Sequence, residues 1–221
     1  MNNIKINNLF DLSKTIAANL FDGKTYGFEV LDGIKDFVIA LGQKLDPEKF
    51  TEVKPDVWVA KSAKVLDSAY IDAPCIIDEN AEVRHCAFIR GSVIVGKNSV
   101  VGNSTEVKNS IIFDNVQIPH YNYVGDSILG YKSHLGAGSI TSNVKSDKTP
   151  VVIKNGDQKI NTNRKKFGAM VGDYSEIGCG SVLNPGTVIG RYSNVYPLSS
   201  VRGVVPESTI YKNKNEVITK Y

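Results

Sequence analysis

From Val59 to Phe113 an aliphatic or aromatic residue stands at every sixth position: Val59, Val65, Ile71, Ile77, Val83, Ile89, Val95, Val101, Val107 and Phe113. Four residues after each comes a mostly small or apolar one: Ala63, Ala69, Cys75, Ala81, Ala87, Val93, Ser99, Thr105 and Ile111. Neither the helical period of 3.6 nor the strand period of 2 produces such a ladder. A fixed six-residue period is an internal repeat, and it outranks local propensity. Each hexapeptide reads as one short strand and a corner, and three of them close one triangular coil. The large and the small residue both point inward, and stacked coils pair their strands about 4.8 Å apart. The fold class is therefore mainly β, a single-stranded parallel β-helix.

The flanks do not share the ladder. In residues 1–50, Leu9, Phe10, Leu12, Ile16, Leu20 and Phe21 recur at helical spacing, with Asp11 or Ser13 as a cap. Val30, Leu31, Ile34, Phe37, Val38 and Leu41 form a second run ending near Gly42. Two short helices are expected, forming a cap over the open N-terminal end of the prism, where unpaired backbone needs a cover. After Phe113 the register slips at Ile118-Pro119-His120; Leu129 and Leu135 carry the ladder on, and it stops at Thr141. The polar stretch 142–168 is expected as a protruding loop, and loops of this length are usually functional or disordered. Its Val151-Val152-Ile153 run is expected to pair with Lys159-Ile160. The ladder resumes at Val171, Ile177, Leu183, Ile189, Val195 and Val201, and Pro206 is expected to end it. The domain reading is a helical cap over 1–50, the β-helix over 51–206 and a tail over 207–221, with Lys212, Lys214 and Lys220, folding back on the last coil.

A chain of 221 residues fits one domain with a substantial core. The net charge of +3 suits a phosphorylated small ligand and is too weak to argue for nucleic acid. Cys75, Cys86 and Cys179 lack CxxC spacing, and Cys75 falls at an inward position, as a reduced core thiol does. Met1 to Asn8 has no apolar core of the signal-peptide kind, and the chain has no apolar run of about 18 residues. A cytoplasmic protein with no membrane partner is expected.

Repeat proteins place function where the repeat is interrupted. The disturbed region gathers Glu106, Lys108, His120, Tyr123, Asn143 and Lys148. Three segments there form one spaced pattern: Gly102-Asn103 through Glu106-Val107-Lys108, His120-Tyr121-Asn122-Tyr123-Val124-Gly125-Asp126, and Gly136-Ala137-Gly138-Ser139-Ile140-Thr141-Ser142-Asn143. Together with Asn163-Arg164-Lys165-Lys166-Phe167-Gly168-Ala169-Met170-Val171-Gly172-Asp173, the pattern resembles the acetyltransferase domain of bifunctional sugar-1-phosphate nucleotidyltransferases, over about residues 80–205. Parallel crossovers are right-handed in about 98% of sheets. The resemblance implies the exception, a left-handed coil.

It also implies an acyltransferase that uses acetyl-coenzyme A and a small-molecule amino-sugar phosphate, working as a homotrimer. Carried over by motif, His120 is the general base and Glu106 orients it. Arg90 and Lys108 hold the sugar phosphate, and Tyr123, Asn143 and approximately Lys148 contact the acceptor. The Ala137 N–H donates to the thioester carbonyl, and Arg164 and Lys165 meet the phosphates of coenzyme A. An amine must lose a proton as it attacks a thioester, and histidine accepts one near neutral pH. Where the family has an acceptor-binding asparagine before the Leu135-Gly136-Ala137-Gly138 run, this chain has His134. Nothing in residues 1–58 resembles the Gly-rich signature of the nucleotidyltransferase half, so that activity is not expected.

Plain readings stand beside these. A histidine after proline in a turn is usually not catalytic, Arg90 or Lys108 alone is a solvated charge, and Arg164-Lys165-Lys166 also reads as a solvated loop. His85 and Cys86 read as corner and packing residues. The alternative function is a non-catalytic module that binds a sugar phosphate or nucleotide sugar and partners a separate nucleotidyltransferase. A zinc enzyme of the γ-carbonic anhydrase kind needs three converging histidines. His85, His120 and His134 lack that spacing, and no metal site is expected.

Overall fold

The computed structural model describes residues 2–213 and 215–220. The chain passes through three sheets in rotation, and within each sheet successive coils pair in parallel. The first sheet stacks Val57–Ala60, Cys75–Ile77, Val93–Val95, Ser110–Ile112, Ile128–Leu129, Ala169–Val171, Thr187–Ile189 and Val204–Val205. The second stacks Lys64–Val65, Glu82–Val83, Val100–Asn103, Gln117–His120, His134–Leu135, Glu176–Ile177, Asn194–Val195 and Thr209–Asn213. The third stacks Tyr70–Ile71, Phe88–Ile89, Glu106–Lys108, Tyr123–Gly125, Ile140–Thr141, Val182–Leu183 and Ser200–Val201. This is the expected left-handed parallel β-helix.

The large ladder residues from Val83 to Val205 are buried, and so are the small ones from Cys75 to Ser193, such as Ala81, Ala87, Ser99, Thr105, Ser175 and Ser181. Where the small residue is Ser or Thr, its hydroxyl in most rungs donates to a corner carbonyl, although Ser110 Oγ reaches back to Lys108 O of its own coil at 2.7 Å and Ser133 Oγ has no partner among the described residues. Ser99 Oγ reaches Phe113 O at 2.7 Å and Ser175 Oγ reaches Gly190 O at 2.8 Å. Few buried polar groups in folded proteins lack such a partner. Cys75 is fully buried, and burial pushes its thiol well above the ordinary range, so it packs as a neutral group. Corners of adjacent coils approach so closely that a side chain at Gly102 would place its Cβ 1.7 Å from Pro119 O.

The last rung of the ladder is corrected. Ile112, not Phe113, aligns with Val95 and Leu129, and Ser110, not Ile111, takes the inward place beside Val93. The corner after Val107 is one residue short, so the slip begins at Ser110. Phe113 is thereby turned outward, its ring 5.3 Å from Phe10 and 5.9 Å from Phe21.

That contact belongs to a second correction. The N-terminal segment is not a cap on the end of the prism but a strap along the outer face of the first sheet. Outward residues of this sheet, Trp58, Ile76, Ile94, Ile111, Ile128, Met170 and Val188, are all buried. A sheet apolar on both faces must be covered on both. Gly27 sits over Ile128 and Met170, and Gly42, at the end of helix Ile34–Gly42, sits over Trp58. The first expected helix is instead a four-residue turn, Ile6–Leu9, and short 3-10 turns at Leu12–Lys14 and Ala18–Phe21. Its backbone is drawn onto the prism: Asp11 N–H donates to Asp173 Oδ2 at 2.7 Å, and Asp173 N–H donates to Leu9 O at 3.0 Å. The start of the first sheet is covered by Phe50–Lys54, antiparallel to Val57–Ala60.

The stretch 142–168 contains the expected hairpin, Val152–Asn155 with Gln158–Asn161, with Ile153 opposite Ile160. It does not protrude freely. Val151, Ile153 and Phe167 are fully buried, and Phe167 packs 5.7 Å from Phe28 of the strap. The coil also continues past Pro206: Thr209–Asn213 is the next strand of the second sheet, and Glu216–Thr219 folds back on it antiparallel. Lys214 of the expected tail lies outside the described residues.

Candidate functional site

On the third sheet the outward row runs Tyr70, Phe88, Glu106, Tyr123, Ile140, Val182 and Ser200, one per coil in register. Among the described residues no segment covers this face as the strap covers the first, and Tyr70, Phe88 and Ile140 remain exposed. Glu106 and Tyr123 therefore stand side by side, and the corner into the first sheet brings up Arg90, Lys108 and Asn143 beside them. Arg90 Nη1 donates to Glu106 Oε1 at 2.7 Å. At the centre is Asp126, 3% exposed. It accepts from Lys108 Nζ at 3.3 Å, from Asn109 Nδ2 at 2.9 Å and from Asn143 Nδ2. Burial, with the Asp126 and Glu106 carboxylates nearby, raises the Tyr123 phenol above its ordinary pKa and keeps it protonated as a donor. The Glu106 partnership likewise holds Arg90 firmly charged.

His120 lies on the opposite side of this sheet, at the edge where the second sheet turns into the third. That edge stacks His85, Asn103, His120, Ala137 and Cys179, one per coil, each carbonyl accepting an N–H from the coil above. Tyr121 N–H reaches Asn103 O at 2.9 Å, Gly138 N–H reaches His120 O at 3.0 Å and Gly180 N–H reaches Ala137 O at 2.8 Å. His120 is exposed, and its ring has no hydrogen bond among the described residues. Its backbone N–H is fixed by Asn122 Oδ1 at 3.1 Å. The Ala137 N–H donates to nothing among the described residues. An unshared imidazole and an unshared amide donor thus sit one coil apart on one edge.

A family model described as the GMPPB C-terminal domain matches residues 71–218. The chain belongs to this family. Curated relatives agree with the acetyltransferase resemblance. A bifunctional sugar-1-phosphate nucleotidylyltransferase/acetyltransferase of Sulfurisphaera tokodaii is 28% identical over 93% of this chain and 47% of its own length. A bifunctional protein GlmU of Methanococcus maripaludis is 39% identical over 53% of this chain and 28% of its own. The chain thus spans about half or less of the relatives it matches first. Among solved structures, the polySia-specific acetyltransferase NeuO is similar at a TM-score of 0.47 and 14% identity, over 71% of this chain and 79% of that one. The family match begins after the strap and the first strands, so residues 2–49 lie outside it.

Of the expected site residues, the fold brings together Arg90, Glu106, Lys108, Tyr123 and Asn143 on one face, and His120 and Ala137 on the adjoining edge. No hydrogen bond joins Glu106 to His120 among the described residues; the carboxylate faces Arg90 instead. His134 is on the second sheet, its Nδ1 2.7 Å from Glu176 Oε2. Lys148 is exposed in the loop, away from the cluster's hydrogen bonds. Arg164 is held by Asp32 of the strap, Nη2 donating to Oδ1 at 2.8 Å, and its side chain is only 13% exposed. Lys165 beside it is exposed. Among the described residues no three His, Cys, Asp or Glu side chains group as a metal site would. Asp126 and Asn109 are the residues that sequence reasoning missed. Asp126 stood in the quoted motif, and its place between Lys108 and Asn143 follows only once the coils are stacked.

Proposed function

We propose that the chain transfers an acetyl group from acetyl-coenzyme A to the amine of an amino-sugar 1-phosphate or a nucleotide sugar. The observation that carries this reading is the pairing of a cationic cluster, Arg90 and Lys108, with an unshared His120 ring and Ala137 N–H on the adjoining edge. The names of the relatives, which join sugar-1-phosphate and acetyl transfer, support it. In the reaction the amine nitrogen bonds to the thioester carbon and the carbon–sulfur bond breaks. His120 takes the amine proton, the Ala137 N–H donates to the oxyanion, and the sulfur of coenzyme A leaves as a thiolate that takes this proton from His120 to become the thiol. Lys108 and Arg90 bind the anionic phosphate and leave the amine free to face the edge.

The working form is a homotrimer with sites between neighbouring prisms. The strap occupies the first sheet, so contact falls to the other two, where Tyr70, Phe88, Ile140 and Leu198 are exposed. A neighbour's packing there supplies the wall that keeps water from the thioester. No helix among the described residues is long and apolar enough to cross a membrane, and the reading places the protein in the cytoplasm. One observation favours a second reading, a binding module that partners a separate nucleotidyltransferase: Glu106 is engaged by Arg90 rather than by His120.

A thiol-release assay with acetyl-coenzyme A against a panel of hexosamine phosphates and nucleotide sugars separates the two. Turnover with at least one acceptor supports the transferase. Binding of an acceptor with no turnover from any of them overturns it in favour of the module.

A further inference from the structure

Two cavities open along the seam between the strap and the 142–168 stretch; the first adjoins the cluster around Asp126, and the second adjoins the first. The first, of about 320 Å³, is lined by Asp32, Asn109, Asp126, Asn163, Arg164, Lys165 and Lys166. The second, of about 400 Å³, shares Asp32, Asn163 and Arg164 with the first and adds Tyr26, Phe28, Ile160, Asn161, Thr162 and Glu29, whose carboxylate accepts from the Thr25 and Tyr26 N–H groups. From these we infer, resting on the function proposed above, that the acceptor is a nucleotide sugar whose nucleoside diphosphate half occupies this double cavity.

The charges favour a diphosphate. The two acids of the first cavity are already engaged, Asp126 by Lys108, Asn109 and Asn143, and Asp32 by Arg164. Lys165 and Lys166 are exposed and form no ion pair among the described residues. The cavity is therefore left with two unneutralised cations beside a rigid guanidinium, a setting that takes a doubly charged anion. The second cavity favours a ring. Tyr26 and Phe28 stack with centroids 5.6 Å apart and planes at 7°, and Phe28 is braced on Phe167. Aromatic side chains of this kind offer a stacking surface for a nucleobase. The sequence of features from the third sheet outward, Tyr123, then Lys108 against Asp126 with Lys165 and Lys166 beyond, then Tyr26, matches sugar, diphosphate, nucleoside. A hexosamine 1-phosphate ends in the first cavity and leaves the second unused.

Coenzyme A also carries a nucleoside diphosphate. The cavities lie at the edge between the third and first sheets, whereas His120 and Ala137, which face the thioester, lie at the edge between the second and third. This assigns the cavities to the acceptor.

The test is calorimetric titration of the full chain with UDP, GDP, a hexosamine 1-phosphate and coenzyme A, on the wild type, the double variant Lys165→Ala/Lys166→Ala, and Tyr26→Ala, with thermal melts to confirm folding. One nucleoside diphosphate is expected to bind at least about tenfold more tightly than the hexosamine 1-phosphate, and the lysine variant to lose about tenfold or more of that affinity while coenzyme A binds as before. The lysine variant alters exposed side chains only, so it carries the test if Tyr26→Ala unfolds. Affinity for coenzyme A falling in place of affinity for the nucleotide overturns the inference, as does binding of the sugar phosphate without either nucleotide. Acetyl transfer to a hexosamine 1-phosphate that the lysine change leaves untouched sinks this inference and spares the acetyltransferase. Tight nucleotide binding with no transfer to any acceptor does the reverse.

Discussion

Replacing His120 by Asn isolates the proposed base, because the fold does not use the imidazole. The two bonds that fix this residue are backbone ones, His120 N–H to Asn122 Oδ1 at 3.1 Å and Gly138 N–H to His120 O at 3.0 Å. Neither changes when the ring is exchanged, and the exposed position leaves no cavity. Exposed substitutions of this kind shift stability by about 0.5 kcal/mol or less, so the melting temperature and the binding of both substrates should stay close to the wild type. Turnover should fall about 10²–10⁴-fold, the span for a lost general base, or about 3–5 kcal/mol in the barrier. The assay is steady-state thiol release across pH 5 to 9 with saturating acetyl-coenzyme A. If a general base carries the step, kcat should fall on the acid side in the wild type, and that limb should vanish in the variant. A variant that keeps more than about a tenth of the turnover, or retains the same acid limb, refutes the role of His120 as base.

Other outcomes follow from the same geometry. Lys108→Ala should raise KM for the acceptor more than it lowers kcat, since it holds the phosphate in ground and transition states alike; the reverse split in steady-state kinetics contradicts that role. Phe113→Ala removes a fully buried ring between Phe10 and Phe21 and should cost about 3–5 kcal/mol in denaturant unfolding, with the strap becoming sensitive to protease. Replacing residues 145–165 by a short Gly-Ser bridge should lower the melting temperature, because it takes Val151, Ile153 and the Arg164–Asp32 pair from the prism; an unchanged melt shows that these contacts contribute little. Burial, reinforced by the Asp78 carboxylate, lifts Asp114 to about 6 from an ordinary 3.8. Its contribution to stability is therefore present below the ordinary value and lost as pH rises through 6. Asp114→Asn, which keeps the acceptor for Lys97 N–H, should gain melting temperature relative to the wild type at pH 8 and not at pH 4.

The prism was legible in the sequence because its signal is redundant: each rung repeats the same inward pair, and one irregular corner cannot hide the period. The same redundancy misled at Phe113, where an apolar residue filled the sixth place although Ile112 holds the register. The strap was legible in principle and went unread. Trp58, Ile76 and Ile94 recur every 18 residues at an outward position, which marks one sheet in three as covered. Local helical spacing in residues 1–50 pointed to helices and said nothing of where they lie, since that depends on contacts with coils far along the chain. Most of the candidate site followed from motif spacing. The pairing of Arg90 with Glu106, the central place of Asp126 and the capture of Arg164 by Asp32 did not, because each joins residues from different coils or from the strap.

A triangular β-helix offers three faces, and what covers each decides what the others can do. Here the strap takes the first sheet, which leaves the third, with its exposed aromatic and aliphatic row, for the acceptor and the neighbouring chain proposed above. The strap also holds the site's outer wall. Phe28 braces Phe167, Asp32 fixes Arg164, and Asn155 Nδ2 donates to Asn3 Oδ1 at 2.9 Å, so the stretch bearing Lys165 and Lys166 is placed by residues outside the family match. His120 and Ala137, by contrast, are placed by the repeat alone. On the proposed function, acyl transfer and acceptor choice fall to separate parts of the chain. Changes in the strap can reshape the cleft between it and the loop without moving the edge that carries His120 and Ala137, because no hydrogen bond or packed ring of the strap reaches that edge among the described residues.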